Sequence, residues 1–340
     1  MFIKMLLLTK INQTWIFTFF ITSICIAQNR SDAYPILATT KDTSFYVFGK
    51  VNGAKYWDAL LSKYDNQNNL EWTLSSKDSF KISFNHLLIL DSNIIGIGKT
   101  NSIEGNSMNM FVINVDSQGE IKWNKIIGLE YYDDIQSFSY NDSVLSLVGK
   151  TNSLGRIDDI FIFNITQEGT VKNKYVLFKD NEEINPLLNT SLSHNDAVFI
   201  AGSIINETSQ NKSAIIIKID VSGNVLWSRV FENGNGDEEY RSCIYNDGFY
   251  YCVGYTSSFG FGGFDFIFSK IDENGNIYFN KIIGSEFDEK PNNLQLINDT
   301  FYVSGYTQTP MGGDDVALLA LGLNGELYHD YTIINDLTEG

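Results

Sequence analysis

The sequence predicts an all-β chain, a six-bladed β-propeller of four-stranded antiparallel blades. Three observations carry this. A glycine that ends an apolar run recurs at Gly49, Gly98, Gly149, Gly202, Gly254 and Gly305, with spacings of 49, 51, 53, 52 and 51. An aspartate ladder, Asp42, Asp91, Asp142, Asp196, Asp247 and Asp299, keeps step six or seven residues ahead. Each period also holds four short apolar runs between turn residues, clearest between 135 and 178 as IQSFSY, VLSLVG, IFIFNI and VKNKYVLF. Runs of that length between turn signals are strands.

The chain opens with Lys4 and Lys10 and no acid, followed by an apolar stretch over residues 14–27. That order is a secretory signal, with cleavage expected after Ala27. Lipidation at Cys25 is the alternative, although Ile24 stands where lipoprotein signals carry a small residue. The stretch is about fourteen residues long, short of the ~20 needed to span a bilayer, and no other segment is long or apolar enough. Removing residues 1–27 takes Lys4 and Lys10 and moves the formal charge from −17 to −19.

The propeller is expected over 28–336, with blades near 34–78, 79–130, 131–180, 181–234, 235–287 and 288–336. Third runs such as 111–115, 160–165, 214–219 and 264–271 are apolar on both faces, so each sheet is covered on both sides. One such unit cannot bury its faces alone, and radial stacking of repeats solves this. A further turn ladder at Asn68, Gly119, Gly169, Gly223, Gly275 and Gly325 is usually opened by an acid three residues earlier, Asp65, Asp116, Asp220 or Asp272. Asp first and Gly fourth is the preference of a type I turn. Trp72, Trp123, Asn173, Trp227, Phe279 and His329 follow four residues later, and Asn173 and His329 should leave packing gaps. The copies run from innermost to outermost strand with nothing left over, so ring closure without an exchanged strand is expected.

The pattern at 254–258 (GYTSS), 265–267 (DFI), 270–276 (KIDENGN) and 283–288 (IGSEFD) resembles the SBBP-type β-propeller repeat of secreted bacterial proteins. It is more distantly similar to PQQ-like propellers. The resemblance covers about 34–334 and implies a secreted, periplasmic or cell-surface bacterial protein of no defined activity. No sorting or adhesion domain is expected after blade six.

Lys and Arg number 24 against 41 acids, which argues against a nucleic-acid partner, since phosphate binding needs a basic face. Gly98-Lys99-Thr100 lacks the glycine five residues upstream that a phosphate loop needs, and reads as a strand end. His86, His194 and His329 fall at non-equivalent strand positions, and no zinc, triad or G-x-S-x-G spacing occurs. Acids recur after the fourth strand at Asp133-Asp134, Glu182-Glu183, Asp237-Glu238-Glu239 and Asp288-Glu289, with Asp78 in a similar place. Asp58, Asp158, Asp159, Asp265, Asp314 and Asp315 lie in the loops between strands two and three. Both sets belong at the channel mouth on one face.

Two readings of these acids stand side by side. They form a face for Ca²⁺ or carbohydrate, since Ca²⁺ takes six to eight oxygen ligands, or each Asp accepts backbone N–H bonds within its own loop. Repetition in every blade favours the second. Departures from the repeat are better site candidates, and Phe259 and Phe261, in the loop Phe259-Gly260-Phe261-Gly262-Gly263-Phe264, are the clearest. Pro310-Met311-Gly312-Gly313 is the matching loop of blade six. The candidate ligand-binding residues are therefore Asp133, Asp134, Asp237, Glu238, Asp288, Glu289, Phe259 and Phe261. No catalytic residue emerges, and no cofactor is expected unless Ca²⁺ binds. A non-catalytic scaffold for a protein or glycan partner is the expected function, and a carboxylate- or Ca²⁺-dependent glycan hydrolase or lyase at the same face is the alternative.

Cys243 and Cys252 flank Asn246-Asp247-Gly248. A two-residue turn at Asp247-Gly248 puts them opposite each other in a non-hydrogen-bonded pair, where side chains are closest. In an oxidising compartment they form a disulfide or remain two buried thiols.

Overall fold

The computed structural model describes residues 33–41, 44–52, 57–75, 82–90, 92–101, 108–129, 132–152, 159–177, 185–205, 209–220, 222–231, 236–308 and 313–333. The signal segment, Asp42, Asp78, Asp91, Asp158, Glu182, Glu183, Pro310, Met311 and Gly312 lie outside them. The chain is all-β, six four-stranded antiparallel sheets each made of consecutive strands, the blade set of a six-bladed β-propeller. Blade one holds β1 (Ala33–Lys41), β2 (Ser44–Asn52), β3 (Trp57–Tyr64) and β4 (Leu70–Ser75). Blade two holds β5 (Ile82–Ile89), β6 (Asn93–Asn101), β7 (Met108–Asp116) and β8 (Ile121–Ile127). Blade three holds β9 (Asp133–Asn141), β10 (Val144–Thr151), β11 (Asp159–Thr166) and β12 (Val171–Leu177). Blade four holds β13 (Asn185–His194), β14 (Ala197–Ile205), β15 (Lys212–Asp220) and β16 (Val225–Phe231). Blade five holds β17 (Glu238–Asn246), β18 (Phe249–Thr256), β19 (Asp265–Asp272) and β20 (Ile277–Ile283), and blade six β21 (Glu289–Ile297), β22 (Thr300–Gln308), β23 (Asp314–Leu321) and β24 (Leu327–Ile333). Among the described residues no helix is long and apolar enough to cross a membrane.

Two compact units divide the chain, one with most of blades one and two and one with blades three to six. Each is built by the same rule. In the larger unit the first strands touch in series, β9 to β13 to β17 to β21. Alternate residues of a third strand serve two interfaces. Ile267 and Ile271 of β19 pack with Phe199, Ile216 and Tyr250, whereas Phe266 and Phe268 pack with Leu294, Phe301 and Val303. This double burial is why the third runs are apolar throughout, each large side chain contributing roughly 1.5–3 kcal/mol. The smaller unit has its own cluster, in which Phe48 and Leu61 meet Phe84, Ile94 and Phe111.

The glycine ladder has a steric cause. In all six blades the first strand carries a β-bulge, and the ladder glycine of the second strand pairs with the residue just before it: Gly49 with Pro35, Gly98 with Phe84, Gly149 with Ile135, Gly202 with Leu188, Gly254 with Tyr240, Gly305 with Pro291. The bulge tilts the strand so that one carbonyl lies over the glycine. A Cβ on Gly98, Gly149, Gly202, Gly254 or Gly305 would fall far inside contact with the carbonyl oxygen of Ser83, Asp134, Leu187, Glu239 or Lys290 respectively. A bulge also re-aims the extra residue. Gln136 and Asn189 are such residues, and each bonds the next first strand: Leu188 N–H donates to Gln136 Oε1 at 2.8 Å, and Asn189 Nδ2 donates to the Tyr240 carbonyl at 2.7 Å.

The aspartate ladder marks two-residue hairpins. Asp142-Ser143, Asn195-Asp196 and Asn298-Asp299 have positive φ at both positions, as does Asp247-Gly248, the type I′ geometry that Asn, Asp and Gly tolerate. The later turn ladder closes strands three to four. Asp220 Oδ1 accepts the N–H of Ser222 and Asn224, the Asp220 carbonyl accepts Gly223 N–H, and Gly223 stands at φ +86°. Asp65, Asp116 and Asp272 repeat the same bonds.

In blades one, four and five the aromatic that follows the turn packs on the glycine turn of the next blade. Trp227 lies against Gly275 of the next blade and donates Nε1–H to the Glu273 carbonyl at 2.8 Å. Trp72 does the same with Gly119 and Ser117, at 3.1 Å. The gap expected at Asn173 is absent. Tyr175, two residues on and on the same face, lies against Gly223 instead.

Candidate functional site

Strand register brings the acids of blades three, five and six to one end of their sheets. Asp133, Thr151 and Asp159 lie abreast on β9, β10 and β11, and so do Glu238, Thr256 and Asp265, and Glu289, Thr307 and Asp315. Blade four departs, with Pro186, Ile204 and Ser213 in these places. The acids are buried and turned inward. Asp133 Oδ2 accepts Leu129 N–H at 2.6 Å, and burial pushes its carboxyl up from the ordinary value against the Thr151 and Leu129 hydrogen bonds. Glu289 repeats the arrangement, accepting Ser285 N–H at 3.0 Å, the Ser285 hydroxyl at 2.5 Å and the Thr307 hydroxyl at 3.1 Å. Glu238 accepts from the Thr256 hydroxyl at 3.1 Å.

The remaining acids of this end hold loops. Asp265 Oδ2 accepts Phe261 N–H at 2.9 Å, and Asp288 Oδ1 accepts Phe264 N–H at 3.1 Å, so two carboxylates shape the blade-five loop from both sides. Asp237 accepts Lys212 N–H at 2.8 Å. Asp134 is half-buried on β9 beside Lys150 of β10. Gly284 is required because a Cβ there would strike Asp265 Oδ1 and lie 2.7 Å from Glu289 Oε2. Among the described residues, no three His, Cys, Asp or Glu side chains gather as a metal site. Phe259 and Phe261 stand out from the loop, 38% and 69% exposed. Phe264 instead turns in, edge-on to Tyr255 at 5.3 Å.

A cationic cluster sits beside this loop. Glu239 is buried, and its carboxylate accepts Lys212 Nζ at 2.6 Å, Tyr255 Oη at 2.8 Å and Asn189 Nδ2 at 2.8 Å, with Arg241 Nε at 2.9 Å. Burial raises the Glu239 pKa, but Lys212, Tyr255 and Arg241 outweigh it and hold the group below its ordinary 4.5. Tyr255 is pushed up, first by burial and then by the Glu239 charge. Lys290 lies over the Phe264 ring at 3.4 Å and 5.0 Å from the Tyr255 centroid, and the Arg241 guanidinium is 5.4 Å from the same ring.

Neither Arg241 nor Lys290 is a candidate on composition, because a chain of charge −17 draws attention to its acids. Aligning the periods on the glycine ladder exposes them, since Lys290 takes the place of Glu239 and Arg241 the place of Asn189. Of the histidines, His194 stacks on Tyr245 at 3.9 Å with Nε2 3.4 Å from Glu273. Tyr245 Oη donates to the same carboxylate at 2.5 Å, and burial followed by that bond pushes the phenol up to about 12. Cys243 and Cys252 are cross-strand partners with Cα atoms 4.1 Å apart, joined as a disulfide.

No family model matches the chain, and no curated protein matches it in sequence. Among solved structures, a prolyl endopeptidase superposes with a TM-score of 0.54 at 10% identity, over 92% of this chain. The fold is that of a β-propeller. The match spans 45% of the endopeptidase chain. The propeller domain of the Trilobed protease from Pyrococcus furiosus aligns at 11% identity over 90% of this chain and 97% of its own, with a TM-score of 0.49. The Dos1 propeller aligns at 10% identity over 89% and 88%, also at 0.49.

Proposed function

We propose that this is an SBBP-type repeat propeller, secreted after removal of residues 1–27, that acts without catalysis as a binding platform. The loop end of blades three to six is the binding surface. One observation carries the reading: Asp133, Asp237, Asp265, Asp288 and Glu289 accept backbone N–H bonds that fix the chain at this end, whereas Phe259 and Phe261 project from the loop that Asp265 and Asp288 hold in shape. Exposed aromatic rings on a fixed loop suit a sugar or peptide surface, since they bring large contact area with little entropy to lose. The hydrolase or lyase reading draws less support, because Glu238 and Glu289, two of the carboxylates at this face, already accept hydrogen bonds in buried positions.

The test is a glycan and peptide array probed with the purified protein and with the double variant Phe259→Ser, Phe261→Ser. Binding to a defined set of features should disappear in the variant while its thermal midpoint stays that of wild type. Equal binding by both proteins rules the loop out.

A further inference from the structure

At the junction of blades four and five, the bulge residue Asn189 donates to Glu239 and to the Tyr240 carbonyl. One blade further on, the same two places hold Arg241 and Lys290. An amide–carboxylate pair has become two cations. Arg241 turns back to Glu239 of its own strand through Nε, and among the described residues its terminal nitrogens make no hydrogen bond to blade six. Lys290 makes no ion pair among them either, and its ammonium rests on Phe264 and Tyr255. Burial, together with Lys212 and Arg241, holds Lys290 below the ordinary lysine value against the opposing pull of Asp288 and Asp237. The nearest acids are engaged: Glu239 by Lys212, Arg241 and Tyr255, and Asp237 and Asp288 by backbone N–H groups.

From this juxtaposition we infer that Arg241 and Lys290 form a carboxylate-binding site at the junction of blades five and six, walled by Tyr255 and Phe264. A guanidinium fork 5.4 Å and an ammonium 5.0 Å from the same Tyr255 ring suit a planar monoanion. Asp237 and Asp288 nearby disfavour a dianion such as phosphate, since like charges at close range in a partly desolvated site repel strongly. Phe259 and Phe261, in the same loop as Phe264, are placed to cover the body that carries the carboxylate. The site rests on the binding-platform reading for its biological use but not for its existence.

The experiment titrates wild type, Lys290→Glu and Arg241→Gln by calorimetry with glucuronate and with N-acetylalanine, at ionic strength matched with sodium chloride. Glucose and N-acetylalanine amide are the uncharged controls, and inorganic phosphate the dianion. One or both carboxylates should bind wild type, more tightly than phosphate, and at least about tenfold more weakly to either variant. Glucuronate binding alone identifies a sugar acid, and N-acetylalanine binding alone a peptide terminus. Lys290→Glu should also raise the ligand-free thermal midpoint, because it restores a carboxylate opposite the bulge residue. The inference is overturned if no carboxylate binds wild type at ~10 mM, if both variants bind as wild type does, or if phosphate binds best. Loss of array binding in the Phe259, Phe261 variant with an intact calorimetric titration, or the reverse, separates failure of the platform from failure of this site.

Discussion

Replacing Gly254 by alanine tests the steric account of the repeat. The added Cβ would collide with the Glu239 carbonyl oxygen, lie 2.9 Å from Tyr240 Cα and 3.0 Å from the Glu239 carbonyl carbon. All three are backbone atoms, so relief requires flattening the bulge rather than rotating a side chain. Overpacking of this kind costs about 1–3 kcal/mol, and the reduced freedom of the unfolded chain returns roughly 0.4–1 kcal/mol. The net expectation is a loss of about 1.3 kcal/mol, or roughly 3–5 °C in the midpoint of a cooperative unit of this size. Gly313→Ala is the control, because a Cβ there meets nothing within 4 Å and the residue is exposed. It should lie within about 0.5 kcal/mol of wild type. The assay is thermal and urea unfolding of the three proteins side by side. A Gly254→Ala protein as stable as Gly313→Ala would refute the collision and leave the glycine ladder without a cause.

Three further outcomes are expected. Trp227→Phe should lose the bond to the Glu273 carbonyl, about 1 kcal/mol, while Trp227→Ala also loses the packing on Gly275 and should lose about 3 kcal/mol by urea denaturation. Reducing the disulfide should lower stability by about 2.5 kcal/mol, since Cys243 and Cys252 lie nine residues apart and close only a short loop; equal midpoints with and without reductant would contradict this. The Glu239 pKa is depressed on folding, so its stabilisation is present above about pH 4.5 and is lost as pH falls through the folded value. Lys212, raised on folding by Glu239 and Tyr255 over the opposing effect of burial, contributes below pH 10.5 and loses that contribution as pH rises through its folded value. Glu239→Gln should flatten both ends of the pH–stability profile and cost about 3 kcal/mol at neutral pH, because it strands Lys212 and Arg241.

The period was legible because hairpins and turns impose composition. Asp247-Gly248 can adopt two positive φ values that few other pairs tolerate, and Asp272 with Gly275 closes the next turn. The register of Cys243 against Cys252 follows from the same turn by counting. The reason for Gly254 was not legible, since a bulge at Arg241 leaves no mark in a single strand; it appears only when two strands are paired. Side-chain direction was equally hidden. Asp133 and Glu289 are candidate ligand-binding residues by sequence, and the fold shows which partners they take, the N–H groups of Leu129 and Ser285 in the preceding loop. The gap expected at Asn173 failed for a related reason, because Tyr175 reaches the next turn from a neighbouring position on the same face. The pairing of Arg241 with Lys290 depends on a junction between blades, which sequence spacing does not encode.

Among the described residues, four blades seat an aromatic ring on the glycine turn of the next: Trp72 on Gly119, Tyr175 on Gly223, Trp227 on Gly275 and Phe279 on Gly325. A gene segment encoding one period of about fifty residues therefore carries both halves of the joint. Tandem duplication of that segment adds a blade without any new contact having to evolve, and recombination between two periods removes one just as cleanly. The repeat fixes the units in which such a chain can grow.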